Sequence, residues 1–311
     1  MEKQIKVIEA RNYLVKGCAP QVYKKGEEFP IDQEGPVNQR RFQIVDDLSH
    51  IFYSLRDKGF ERLALVQPKL EGNTLILQAP GMPDCEVPCD APGVETKTTT
   101  WDAEVPAIMH PDASEWISDF MKQNLHFMQQ AGNRPINSQY APPDATVSFA
   151  DRFPLTVVSQ ETIDMVKKEA PELLIDGNRF RYNLLISGGD AQDEHHLARF
   201  RMGSFVGTAA KPCGRCQAIN VNQETGEKDD LFERLKKSRT FRNPHSGETI
   251  ISENVLVEQP GVLTVGSPVE VLEWSEQEWD REYKANNRRQ PTVKGDASAD
   301  GLWRQLRGKG S

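Results

Sequence analysis

The 311-residue chain carries a formal net charge of −8, with 37% hydrophobic and 27% charged residues, so it lacks the basic excess of a nucleic-acid binder. No apolar stretch is long enough for a membrane span, and the Met-Glu-Lys-Gln-Ile-Lys start has no apolar signal region. Five irregularly spaced cysteines are no disulfide framework, which points to a reducing, cytoplasmic setting, and the length favours two domains.

In the first half, Ile5, Val7, Leu14 and Val15 mark short strand-like pieces, punctuated by Gly17 and Pro20. Residues 39–46 alternate like a strand, and residues 51–55 form another, stopped at Gly59. Residues 62–66 and 73–77 read as a meander joined through Glu71-Gly72-Asn73, and the Pro- and Gly-rich residues 79–94 as loop. Residues 96–105 are strand-like about Trp101. Asp112 with Glu115 then makes a capping box for a helix over 113–123 that puts Trp116, Ile117 and Phe120 on one face. Residues 1–130 thus form a first domain and residues 131–150, with Gly132, Pro135 and Pro142-Pro143, a linker.

The second domain, 151–274, opens with a strand over 151–158 and a helix capped by Ser159 that runs to about Ala170. Residues 180–186 are the clearest buried strand. Residues 200–209 give another, residues 230–237 a helix, and residues 255–257, 262–265 and 269–272 the closing strands, the last two joined at Gly266-Ser-Pro268. Residues 275–311 lack a sustained apolar period, giving a short helix near 276–284 and a mostly disordered tail. Many short strands with a few helices predict an α+β, β-rich fold with barrel-like cores.

Cys213 and Cys216 form a C-x-x-C with Lys211 and Arg215 beside them, a basic setting that favours the thiolate. A zinc site needs two further ligands, for which only the Cys85/Cys89 pair in a distant loop is at hand. Iron–sulfur ligation lacks cysteines at short spacing. A thioredoxin-like motif wants a helix after the pair, whereas the residues after Cys216 alternate like a strand. Buried, inert thiols are the remaining reading. Arg181, inside the apolar run 180–186, must be paired or bind an anion, whereas Lys16, Arg40, Arg41 and Arg56 read singly as surface charges. His195 and His196 read as surface histidines.

Asp151-Arg-Phe-Pro154, the run from Asn178 to Gly188, Lys211-Pro-Cys-Gly-Arg-Cys-Gln217 and Pro260-Gly-Val-Leu-Thr-Val-Gly266 together resemble the MOSC domain. Tyr13-Leu-Val-Lys-Gly-Cys18, Arg40-Arg-Phe-Gln-Ile-Val45, Arg56 and Trp101-Asp-Ala-Glu-Val105 resemble its N-terminal β-barrel partner. The resemblance implies a MOSC β-barrel domain packed against an N-terminal β-barrel-like α+β domain, with a molybdenum–pterin cofactor between them. It puts the metal ligand, and with it catalysis, on Cys216. It puts cofactor contacts on Lys16, Arg41, Asp151, Arg181 and Asn183, and on Gly17 and Gly214, where relatives often carry small hydroxyl residues. It further implies an oxidoreductase that reduces N-hydroxylated substrates by oxygen-atom transfer, fed by a b-type cytochrome or a ferredoxin with its reductase. A sulfur carrier or sulfurtransferase using a cysteine persulfide, and a non-catalytic cofactor carrier, are the alternatives. The pyridoxal-phosphate domain of full cofactor sulfurases has no counterpart here, so pyridoxal phosphate is not expected.

Overall fold

The computed structural model describes residues 4–101 and 103–276; the helix expected near 276–284 and the tail lie outside the described residues. The β-rich α+β class holds. The apolar strands of the second half build an eight-stranded sheet in the order Gln21–Tyr23, Lys6–Asn12, Leu184–Ser187, Leu155–Ser159, Ile250–Gln259, Phe205–Gly214, Leu197–Met202, Glu270–Trp274. Leu155–Ser159 and Leu184–Ser187 run parallel, as a connection through the helix Gln160–Glu169 requires. Side chains alternate across the sheet. Val157, Leu184 and Val255 enter the core closed off by Phe29 and Leu263. Val158, Leu185 and Ile251 meet Ile163 and Val166 of the helix.

The first half holds a four-stranded antiparallel sheet (Phe42–Asp46, Leu125–Gln130, Ala103–Met109, Val94–Thr100) and a meander of Gln67–Glu71, Thr74–Gln78 and Cys85–Pro88. The helix Pro111–Met121 lies between them, and Trp116, Ile117 and Phe120 meet Phe42, Ile44, Leu75 and Val87. The two halves are interlaced. Lys6–Asn12 pairs with Leu184–Ser187 and Glu28–Asp32 with Gly261–Thr264, so these strands, with their neighbours Gln21–Tyr23 and Gly35–Pro36, complete sheets of the second half.

Several expected elements take other forms. Residues 62–66 fall in the 3-10 helix Glu61–Leu65, because Leu63 and Val66, three apart, turn to one core. The meander partner is instead Gln67–Glu71. The loop 79–94 contains the strand Cys85–Pro88. Trp101 sits at a hairpin turn with φ +60°, not in mid-strand. His110, not Asp112, precedes the first helix, and Pro111 opens it, a residue suited to that position because it lacks an N–H. The linker folds into the strand pair Arg134–Pro135 and Thr146–Val147. The run 180–186 begins as the 3-10 turn Gly177–Phe180, and Arg181 adopts the left-handed region at φ +48° before the strand starts at Leu184. A 3-10 helix, Gln217–Asn220, follows Cys216. His195 is buried against Glu253 at 2.8 Å, not at the surface.

Ser159 caps its helix as expected, its Oγ accepting the Thr162 N–H at 3.1 Å. Ser159→Ala should cost about 1 kcal/mol, read as a lowered urea midpoint at unchanged slope. Gly35→Ala should cost more, because φ is +112° and a Cβ would stand 2.5 Å from the Pro154 carbonyl oxygen.

Candidate functional site

A cavity of about 230 Å³ opens where the two halves meet. The strand Phe205–Gly214 delivers Cys213 to its wall, and Cys216 stands at the N-terminal cap of the 3-10 helix that follows. Arg215 between them is fixed by its backbone and its side chain. Its N–H donates to the Thr249 carbonyl at 2.7 Å, and its guanidinium donates to the Phe180 carbonyl at 2.6 Å, to Ser252 Oγ at 3.1 Å and to Cys213 Sγ. Cys213 therefore has a cationic partner on its own loop.

The opposite wall combines residues of the first half with Asp151 and Arg181 of the second. Gly17, at φ +92°, turns the chain directly after Lys16. Lys16 Nζ donates to the Phe149 carbonyl at 2.7 Å and pairs with Asp151 at 2.5 Å. Arg40, Arg56 and Arg181 complete the wall. Arg181 donates to the Cys18 carbonyl and to Gln223, and its guanidinium lies 4.4 Å from the centre of the buried Tyr13 ring. Arg56 lies 4.6 Å from the centre of the Trp101 ring.

Of the residues expected at the site, Cys216, Lys16, Gly17, Asp151, Arg181 and Gly214 line this cavity, whereas Arg41 and Asn183 do not. Asn183 lies behind the wall, where its amide meets the Arg11 carbonyl, the Thr156 N–H and Gln39. Arg40, at φ +46°, faces the cavity in place of its neighbour Arg41. An Arg-Arg pair before a strand does not tell which of the two turns inward. Arg134 was hidden more deeply, in the presumed linker. Its buried guanidinium donates to the carbonyls of Ser148, Ala150 and Asp151 and so fixes the loop that carries Asp151.

The electrostatics follow from burial and crowding. Burial first, and the charges of Arg40 and Arg134 after it, bring Lys16 down to about 7 despite Asp151. Burial works against the Asp151 charge, but Lys16, Arg40 and Arg56 outweigh it and hold the carboxyl far below the usual carboxylate range. Burial pushes the Cys216 thiol up against the pull of Arg56 and the Ala218 N–H. The basic setting therefore does not suffice to expose a thiolate there, contrary to the expectation from sequence. Thr156 Oγ1 and Arg215 Nε, both at the wall, are buried with no hydrogen-bond partner among the described residues.

Among the described residues no group of three His, Cys, Asp or Glu stands close enough to hold a metal ion. Cys85 and Cys89 pack against the first-half core, so the composite zinc site does not form. What remains is a cation-rich cavity with two thiols at its edge, suited to an anionic ligand. Sulfate should bind there more tightly at pH 6 than at pH 8.5, because Lys16 loses its charge near 7 on the way up. Calorimetry should show the profile flattened in Lys16→Met, and a flat wild-type profile would refute this account of the site.

Two family models match the chain, the MOSC N-terminal beta barrel domain over residues 4–124 and the MOSC domain over residues 144–270. The chain is 25% identical over 289 residues to the molybdenum cofactor sulfurase of Bos taurus, an alignment covering 83% of this chain and 31% of that protein. It therefore spans about a third of the sulfurases' length. It is also 25% identical over 276 residues to mitochondrial amidoxime-reducing component 1 of Homo sapiens, covering 84% of this chain and 81% of that protein. Among solved structures, the YUAD protein from Bacillus subtilis aligns over 86% of this chain and 96% of its own, at 10% identity and a TM-score of 0.41. With the two models matched in tandem over most of its length, the chain belongs to the MOSC family, in the form that joins a MOSC N-terminal beta barrel domain to a MOSC domain.

Proposed function

We propose that this cavity holds a molybdenum–pterin cofactor and that the protein is an oxidoreductase acting on N-hydroxylated small molecules. The observation that carries the reading is the crowd of cations that outnumbers the two acids, Asp151 and Glu248, and faces two thiols across a single cavity. The cavity residues fit such a group. Lys16, Arg40 and Arg181 would hold its phosphate, arginine through paired hydrogen bonds. Asp151, kept ionised, would accept a pterin N–H. Arg215 Nε and Thr156 Oγ1, buried without partners among the described residues, are polar atoms that a bound group could satisfy. Cys216 would ligate the metal as a soft thiolate.

When bound, the cofactor would supply molybdenum's two-electron oxygen-transfer chemistry. This chain's part is binding and proton placement. Burial makes the neutral thiol the resting form of Cys216 without a metal, so ligation must expel its proton, and Arg56, Arg215 and the Ala218 N–H favour the anion. Arg215 also occupies Cys213 Sγ, which separates the roles of the two thiols. Overall, reduction of an N-hydroxyl group takes up two electrons and two protons and releases water. A b-type cytochrome, or a ferredoxin with its reductase, would supply the electrons.

The two glycines that replace hydroxyl residues differ in kind. At Gly214 a Cβ would meet Glu248 at 3.4 Å, an ordinary contact, so a serine is tolerable. At Gly17 the positive φ strains any side chain, and a Leu63 carbon at 3.1 Å would have to give way.

Sulfur carriage on a persulfide of Cys216 or Cys213 is the second reading, favoured by the similarity to molybdenum cofactor sulfurases. Wild-type protein made with ample cofactor supply should contain stoichiometric molybdenum and pterin. Cys216→Ala should keep pterin but lose reduction of a model amidoxime by reduced dye. Wild-type protein without molybdenum or pterin sinks the first reading, and a persulfide on it without reductase activity supports the second. Arg181→Gln should weaken pterin retention about ten-fold or more, as expected for a lost charge-assisted hydrogen bond.

A further inference from the structure

A second cavity, of about 410 Å³, adjoins the first and shares Trp101, Asp151, Arg152 and Phe153 with it. Its volume falls within the ~300–1,000 Å³ range of small-molecule sites. Its remaining wall is the folded linker, including Arg134, Ile136 and Tyr140. The character of this wall differs from that of the first cavity. Tyr140 and Phe153 meet edge to face at 6.1 Å between ring centres, and Trp101 adds a third aromatic surface. Lys211 lies 4.7 Å from the centre of the Tyr140 ring, its charge set between the two cavities.

The charged groups here are unevenly committed. Arg134 spends its guanidinium on three backbone carbonyls. Asp151 pairs with Lys16 at 2.5 Å. Arg152, at the junction of the two cavities, makes no hydrogen bond or ion pair with any described residue. It is held in place from behind, because Arg134 clamps the carbonyls of Ala150 and Asp151 immediately before it. A guanidinium uncommitted among the described residues, carried on a backbone fixed just before it and beside flat aromatic walls, matches a planar ring bearing one carboxylate, which arginine takes through two parallel hydrogen bonds.

We infer that the second cavity is a binding subsite for planar aromatic carboxylates, with Arg152 holding the carboxylate at the junction and Tyr140, Phe153 and Trp101 enclosing the ring. As the place where a substrate's body rests beside the first cavity, it builds on the oxidoreductase reading. As a binding site it can be tested without it.

The test is calorimetric titration of the full chain with 2-naphthoate and with its neutral counterpart 2-naphthamide, using wild type, Arg152→Gln and Tyr140→Leu. Each variant is first checked for an unchanged unfolding midpoint. Wild type should prefer the carboxylate by at least about ten-fold, in line with one charge-assisted pair. Arg152→Gln should abolish that preference, and Tyr140→Leu should weaken both ligands while preserving their ratio. Equal wild-type affinities overturn the inference. So does a preference that survives in Arg152→Gln, since the carboxylate would then sit on the cations of the first cavity. If Arg152→Gln unfolds, Arg152→Lys serves instead, and an undiminished preference in it overturns the bidentate assignment. The molybdenum and pterin content of wild type decides the oxidoreductase reading separately, so failure of one is not failure of the other.

Discussion

An ammonium group buried where two half-molecules meet sets the terms for everything around it. Lys16 is almost wholly removed from solvent, and a buried cation is tolerable only with close partners. Those partners, the Phe149 carbonyl and the Asp151 carboxylate, belong to the segment that leads into the second half. The contact thus ties residue 16 to a loop more than 130 positions away and defines the edge along which the cavity opens. Asp151 is 55% exposed, onto the cavity it lines, so the pair is dry on one side and wet on the other. Adding Arg40, Arg56 and Arg181 to that edge leaves more positive charge than the protein's own acids balance, and an anion relieves the imbalance.

The wall carrying the thiols obeys the same logic from the other direction. Successive residues of the strand Ile250–Gln259 face opposite sides of the sheet. Asn254 lines the cavity, while Glu253 lies buried against His195. Ser252, at φ +75°, interrupts the regular pleat and accepts from Arg215. A strained backbone position that receives the Arg215 guanidinium and a buried acid thus stand on consecutive residues behind the C-x-x-C, which leaves that loop little freedom to rearrange.

How much of this was legible beforehand depended on whether the signal was local. The Ser159 cap was, because capping is settled within three residues. So was the buried helix face of Trp116, Ile117 and Phe120. The strand read through 180–186 failed because apolar residues in a 3-10 turn followed by a left-handed residue look, as letters, like a continuous buried run. Six of the eight residues expected at the site line the cavity, and the grouping came from the family resemblance rather than from spacing. Which of Arg40 and Arg41 turns inward depends on a single left-handed φ, and Arg134 depends on carbonyls presented by a loop that composition labels a spacer. Neither kind of information resides in residue type.

The interlacing of the halves also fixes an order of assembly. Lys6–Asn12 leaves the ribosome well before its sheet partner Leu184–Ser187, and Gly261–Thr264, which receives Glu28–Asp32, comes later still. Pairings of such sequence separation are slow to close, since a long loop must be ordered before they form. The opening segment therefore pairs at first only with its own neighbours, Gln21–Tyr23 and Gly35–Pro36, and one edge of each strand waits until residues 184–187 and 261–264 have been made. The cavity cannot exist before its distant walls have both been made, because its lining runs from Lys16 to Asn254. Any ligand that occupies it is thus acquired only after residue 254 has been made and the far strands have closed.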